Sequence, residues 1–163
     1  MPVRNAHWLW LSAIIILLDQ ITKQLVHRHL DWYEHIAIFP HFNIVHLRNT
    51  GVAFSMFSGS SQIIFISLAI IVSAGILIWL RRNPKGQTLV AVALCLILAG
   101  AIGNAIDRAA RGYVVDFLDF YWGSWHFAAF NLADTAITIG ASLMILDAFL
   151  DWRRSRRTGR SAP

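Results

Sequence analysis

Residues 62–80 read QIIFISLAIIVSAGILIWL, then comes Arg81-Arg82-Asn83-Pro84-Lys85-Gly86-Gln87, and residues 88–106 read TLVAVALCLILAGAIGNAI. Neither apolar run holds a charged residue, and each approaches the roughly 20 residues an α-helix needs to cross a bilayer. The connector is short, basic and rich in turn residues, so the pair predicts antiparallel membrane helices joined by a tight hairpin. Basic connectors lie on the cytoplasmic side, which orients the rest of the chain.

Working outward, a first span is expected at about 8–26 and a fourth at about 130–150, giving four with 62–80 and 88–106. The fourth runs into a basic tail, 151–163, with Arg153, Arg154, Arg156, Arg157 and Arg160. Four spans put both termini in the cytoplasm, and the segments from His27 to Ser61 and from Asp107 to Ala129 face outward. The uninterrupted run from Trp8 to Leu18 is short enough for a signal-peptide core. No small-x-small cleavage site follows it, however. Asp19, Gln20, Thr22 and Lys23 continue a helical pattern with Ile21 and Leu25, so a retained span with a polar outer stripe is expected. Asp19 and Lys23 share one helix face, acid before base.

Composition agrees with a membrane protein. The 163 residues are 56% hydrophobic and 14% charged, against roughly 25% charged in soluble domains. The length suits one membrane-embedded domain. The net charge of +5 gathers at span ends, as topology requires, and argues against nucleic acid as the partner. Cys95 has no second cysteine to pair with and is expected to act as a small buried hydrophobe.

The first outer segment is no plain linker. Residues 41–47 alternate polar and apolar like a half-buried strand, and Asn49-Thr50-Gly51 opens a turn. Trp32, Tyr33, Phe39 and Phe42 suit the membrane interface. The expected fold is an all-α membrane protein of four transmembrane helices carrying a small extracytoplasmic sheet.

On that topology the polar islands converge at one membrane face. Asp19 and Lys23 lie at the outer end of span one, Asn49 in the outer segment, and Asn104, Asp107 and Arg108 at the end of span three. Asp116 follows, and Asn131 and Asp134 open span four. An ionisable residue at such a boundary is costly and marks a functional site. Asn131 and Asp134, three apart, share a helix face, with Asn131 the better cap. Asp119 points away from Asp116 on an extended strand, so only one of the two can face the site. Asn104, Asp107 and Arg108 read as a structural clamp, with Arg108 pairing Asp107 and tying down the outer loop. Two neighbouring carboxyls cannot easily both ionise, so one holds a proton while the other acts as base. That is the equipment for hydrolysis without metal or covalent nucleophile. Which of Asp116 and Asp134 holds the proton is left open.

These residues carry a family likeness. The chain resembles the lipoprotein signal peptidases, or signal peptidase II. The motifs run in order: Asp19-Gln20-Ile21-Thr22-Lys23, Asn49-Thr50-Gly51-Val52-Ala53-Phe54, residues 100–108 ending Asn104-Ala105-Ile106-Asp107-Arg108, Val114-Val115-Asp116-Phe117, and Phe130-Asn131-Leu132-Ala133-Asp134. Ala99-Gly100 stands where the family often has Gly-Gly, a mild departure because Ala still permits close helix packing. The resemblance implies a membrane aspartyl endopeptidase of the bacterial inner membrane. Such an enzyme removes the signal peptide from diacylglyceryl-modified prolipoproteins by cutting before the lipidated cysteine. It implies Asp116 and Asp134 as the catalytic pair, and Asp19, Lys23, Asn49, Gly51, Asn104, Arg108 and Asn131 as residues lining or supporting the site. It also implies a site near the periplasmic face, membrane lipid around it, inhibition by globomycin, and a mobile outer helix over the site. The sheet and that helix are sought in residues 36–57 and 107–129. No cofactor or metal is implied, and one chain suffices, so a monomer is expected.

Two rival classes are disfavoured. A transporter would carry polar groups near the bilayer midplane, whereas spans two and three are apolar at their centres. A non-catalytic scaffold would tolerate Asn at Asp116 and Asp134. A metalloenzyme is disfavoured because the histidines between His27 and His46 lack partners at helical ligand spacing.

Overall fold

The computed structural model describes residues 6–51, 62–84 and 86–157. After a 3-10 turn, Ala6–Trp8, come α1 (Leu9–His29), strands β1 (His35–Phe39) and β2 (Phe42–Asn49), α2 (Gln62–Arg82) and α3 (Thr88–Arg111). Strands β3 (Val114–Trp122) and β4 (Trp125–His126) follow, then α4 (Leu132–Arg157). All four α-helices are long and apolar enough to cross a membrane. Each outruns or shifts from its expected span by a few residues, since helices continue through polar ends that composition cuts off. Thus α3 includes Asp107, Arg108 and Arg111, and α4 carries its helix into the basic tail.

Helix α3 is central. It packs against α1, α2 and α4 and holds most of the buried helical residues. Leu80 of α2 and Val90, Leu94, Cys95 and Leu98 of α3 form one apolar cluster, and Ser12 of α1 donates its hydroxyl to the Cys95 carbonyl at 2.7 Å. By contrast α2 turns its apolar residues outward, Ile63 at 72% and Ile71 at 68% exposure. In water such a surface would be a liability; in lipid it is solvated. Close approach of α3 and α4 depends on small residues. A Cβ at Gly100 would meet the Ala133 carbonyl, and Ala99 beside it is buried, so alanine at that position fits.

Helix α3 ends at Gly112, which takes the left-handed conformation (φ 79°) and donates its N–H to the Arg108 carbonyl at 3.0 Å. Glycine adopts this geometry without a Cβ clash. The turn sends the chain directly into β3. The strands form one antiparallel succession, β1-β2-β3-β4. Leu47 pairs with Asp116 and Asn43 with Asp119, with an irregularity between Ile44 and Leu47. Leu118 also exchanges backbone hydrogen bonds with Phe130, 2.9 and 3.2 Å. That bridge docks the start of α4 against β3, and so brings residue 134 to residue 116.

Of the stretches 36–57 and 107–129, the described residues hold the sheet and the end of α3, with no separate outer helix; residues 52–57 lie outside the described residues.

Candidate active site

The site is assembled from three helices and two strands. Asn131 is the N-cap of α4, immediately before Leu132. Its side-chain oxygen accepts the Asp134 N–H at 3.0 Å, and the Asp134 carboxylate accepts the Asn131 backbone N–H at 3.3 Å. This reciprocal pair is a capping box, so Asp134 is held by the helix start that it helps to stabilise. The same Asn131 sends its amide to Asp116 Oδ1 at 2.7 Å. One fully buried asparagine therefore touches both carboxylates.

The remaining oxygens have their own donors. Asn49, at the end of β2, donates to Asp116 Oδ2 at 2.9 Å. Asn104 of α3 donates to Asp134 Oδ1 at 2.8 Å and accepts from Lys23 Nζ at 3.0 Å. Gly51 donates its N–H to the Asn49 side chain at 3.0 Å, and Arg108 Nη2 donates to the Gly51 carbonyl at 2.7 Å. Arg108 thereby fixes the turn that aims Asn49.

Beneath the carboxylates lies a buried charge network. Lys23 sits between Asp19 (2.9 Å) and Asp107 (3.2 Å), all three essentially without solvent exposure. Asp19 accepts the Ala133 N–H at 2.9 Å, another free donor in the first turn of α4. Asp107 accepts the Val115 N–H at 3.1 Å, one residue before Asp116. Gly103 makes room for this: a Cβ there would lie 2.7 Å from Asp19 Oδ2. Buried charges survive only when paired and hydrogen-bonded, and here each pairing also pins the backbone next to Asp116 or Asp134.

Burial, and next the neighbouring Asp134 carboxylate, push Asp116 from an ordinary 3.8 up to about 7, against the opposing hydrogen bonds from Asn49 and Asn131 and the charge of Lys23. The Asp116 carboxyl therefore keeps its proton to a much higher pH than an ordinary aspartate.

All nine residues singled out from the sequence meet here in one hydrogen-bonded network. One expectation is corrected. Arg108 does not pair with Asp107; among the described residues Asp107 pairs with Lys23 and Arg111. Arg108 instead turns to the Gly51 carbonyl and lies over the Phe65 ring at 4.8 Å. Adjacent residues on a helix point about 100° apart, so Asp107 and Arg108 serve different sides. Arg111 was missed, though its i, i+4 spacing from Asp107 was legible. Asp119 stands apart, accepting from Asn43 at 2.9 Å and facing His126 Nδ1 at 2.9 Å.

Residues 11–150 match the family described as signal peptidase (SPase) II. The lipoprotein signal peptidase of Haemophilus ducreyi is 51% identical over 150 residues, covering 90% of this chain and 93% of that protein. That of Pseudomonas aeruginosa is 43% identical over 160 residues, 95% and 92% of the two chains. A solved bacterial membrane enzyme structure, obtained by the in meso method at 2.3 Å resolution, superposes with a TM-score of 0.86 at 29% identity. It covers 97% of this chain and 95% of that one.

Proposed function

The chain belongs to the signal peptidase II family, and from that premise we propose that it is an aspartyl endopeptidase using Asp116 and Asp134 as a general acid–base pair. The observation that carries this reading is the shared contact of both carboxylates with Asn131. Four membrane-crossing helices and membership of this family make it a multi-pass bacterial membrane protein acting on prolipoproteins. The finer reading is that it cuts just before a diacylglyceryl-modified cysteine, at the periplasmic face of the inner membrane, with both termini in the cytoplasm.

Asp116, whose buried carboxyl titrates near neutrality, holds the proton and donates it toward the scissile carbonyl. Asp134 accepts a proton from the attacking water. The proton then passes to the leaving amine as the tetrahedral intermediate collapses. Low dielectric at the bilayer edge keeps the two carboxyls from ionising together. Asn49, Asn104 and Asn131 orient both groups without charging either. The diacylglyceryl group lies along the helices in lipid, which explains a protease at this depth. Asp19, Lys23, Gly51 and Arg108 support this geometry, a globomycin-type inhibitor competes for the same space, and one chain is a complete enzyme.

The test is cleavage of a diacylglyceryl-modified prolipoprotein by purified wild type, Asp116→Asn and Asp134→Asn, each checked for folding in detergent. Both folded variants are expected to lose at least about 10²–10⁴ in rate, the usual range for general acid–base catalysis. Retained cleavage in either variant removes that residue from the chemistry.

A further inference from the structure

At the sheet-bearing end of the helices a groove of about 410 Å³ runs along α1, lined by Gln20, Gln24, Arg28, Arg111, Ile21 and Leu25, with His29 at its edge. Among the described residues no carboxylate lines it. Its wall is built from the sequence itself: Asp19 and Lys23 turn inward from α1, so the neighbouring positions of the same turns face the gap toward α3. Arg111, in the last turn of α3, crosses that gap, donating Nη1 to Asp107 and Nη2 to Gln24 Oε1 at 2.9 Å. Each Nη carries two N–H groups, so the guanidinium keeps donors to spare. Arg28 is exposed and makes no ion pair among the described residues. His29 commits Nδ1 to the Leu25 carbonyl at 2.8 Å.

Depth decides what such a groove meets. Helix α1 is about 31 Å long at 1.5 Å per residue, enough for the hydrocarbon core. The groove runs from Gln20 to His29, so its Ile21 and Leu25 part lies alongside acyl chains and its Arg28 end reaches the level where headgroups begin. Ile21 and Leu25, 46% and 52% exposed, present apolar surface on the same face. The Arg111 charge is already shared with Asp107, so a ligand filling the groove offers anionic oxygens to Arg28 and to the remaining N–H groups of Arg111, and hydrocarbon to Ile21 and Leu25. Arginine prefers phosphate oxygens with planar, two-point geometry.

We propose that this groove is a binding site for an anionic glycerophospholipid of the surrounding leaflet, its phosphate between Arg28 and Arg111 and its acyl chains over Ile21 and Leu25. The site is separate from the Asp116–Asp134 pair and does not depend on the catalytic reading. Through Arg111 and Asp107 it adjoins the Val115 backbone, so an occupying lipid braces the strand that carries Asp116.

The test is native mass spectrometry of the full-length protein in detergent, titrated with phosphatidylglycerol, with diacylglycerol, or with inorganic phosphate. Wild type is expected to retain one phosphatidylglycerol in preference to diacylglycerol, and inorganic phosphate in excess is expected not to displace it. Arg28→Gln, a surface change, is expected to weaken that retention about tenfold, the scale of one charge-assisted hydrogen bond. Arg153→Gln, at the opposite end of the helices, is expected to leave it unchanged. Equal retention by Arg28→Gln, equal loss in Arg153→Gln, no preference over diacylglycerol, or displacement by free phosphate would each overturn the proposal.

Discussion

Asn131 and Asp134 hold each other: each accepts the other's backbone N–H on its side chain, at 3.0 and 3.3 Å. The first turn of α4 is thus both a helix start and half of the proposed acid–base pair. A capping box is a local feature, worth about 1 kcal/mol. This one also reaches across to Asp116 through the Asn131 amide, so a structural cap has become a spacer between two carboxylates.

Asn131→Ala is therefore expected to separate stability from activity. The lost cap costs about 1 kcal/mol, while the misplaced carboxylates cost about 10²-fold or more in cleavage rate. Denaturation in detergent beside prolipoprotein cleavage measures both. A variant with near-normal turnover would show that Asn131 only caps the helix.

Lys23→Met is expected to destabilise the protein by about 3–5 kcal/mol, because it leaves the buried Asp19 and Asp107 without their shared cation. Combining it with Asp107→Asn should restore part of that loss. Unchanged denaturation of the single variant would mean that the network contributes nothing net.

The pH dependence follows from Asp116. Its carboxyl is raised in the folded protein from 3.8 to about 7, so the native state binds more protons than the unfolded state between those values. Its contribution to stability is full below about pH 4 and is lost as pH rises toward 7. Cleavage should fall on the alkaline side of about pH 7 as the proton leaves. The corresponding slope in stability should be absent from Asp116→Asn. A cleavage rate flat from pH 6 to pH 9 contradicts the role of proton donor.

Asp119→Asn should retain most of the activity. Asp119 bonds Asn43 and His126, not any residue of the Asp116–Asp134 network. The change weakens the side-chain contacts of β3 with β2 and β4 and is expected to lower stability by about 1 kcal/mol. Loss of cleavage in a folded Asp119→Asn protein would move the chemistry away from Asp116.

Much of the fold was legible because membrane insertion is a rule about runs. Residues 62–80 and 88–106 are long and apolar enough to cross a bilayer, and the short basic connector between them predicts an antiparallel pair. The alternation over residues 41–47 marked a strand for an equally local reason, and β2 runs Phe42–Asn49. Helix ends were less legible: α3 continues to Arg111 because its last polar turn packs against α1 and β3, and no composition window records that.

The sequence by itself determined four helices able to cross a membrane, a strand-bearing segment between the first two, and a gathering of Asp19, Lys23, Asn104, Asp116, Asn131 and Asp134 at one end of the helices, because hydropathy and spacing act along the chain. Only the tertiary structure decided which partner each charge would take. Asp107 went to Lys23 and Arg111, Arg108 to the Gly51 carbonyl, and Asn131 to both carboxylates. Those choices rest on distances between segments far apart in the chain, which the αL turn at Gly112 and the Leu118–Phe130 bridge bring together.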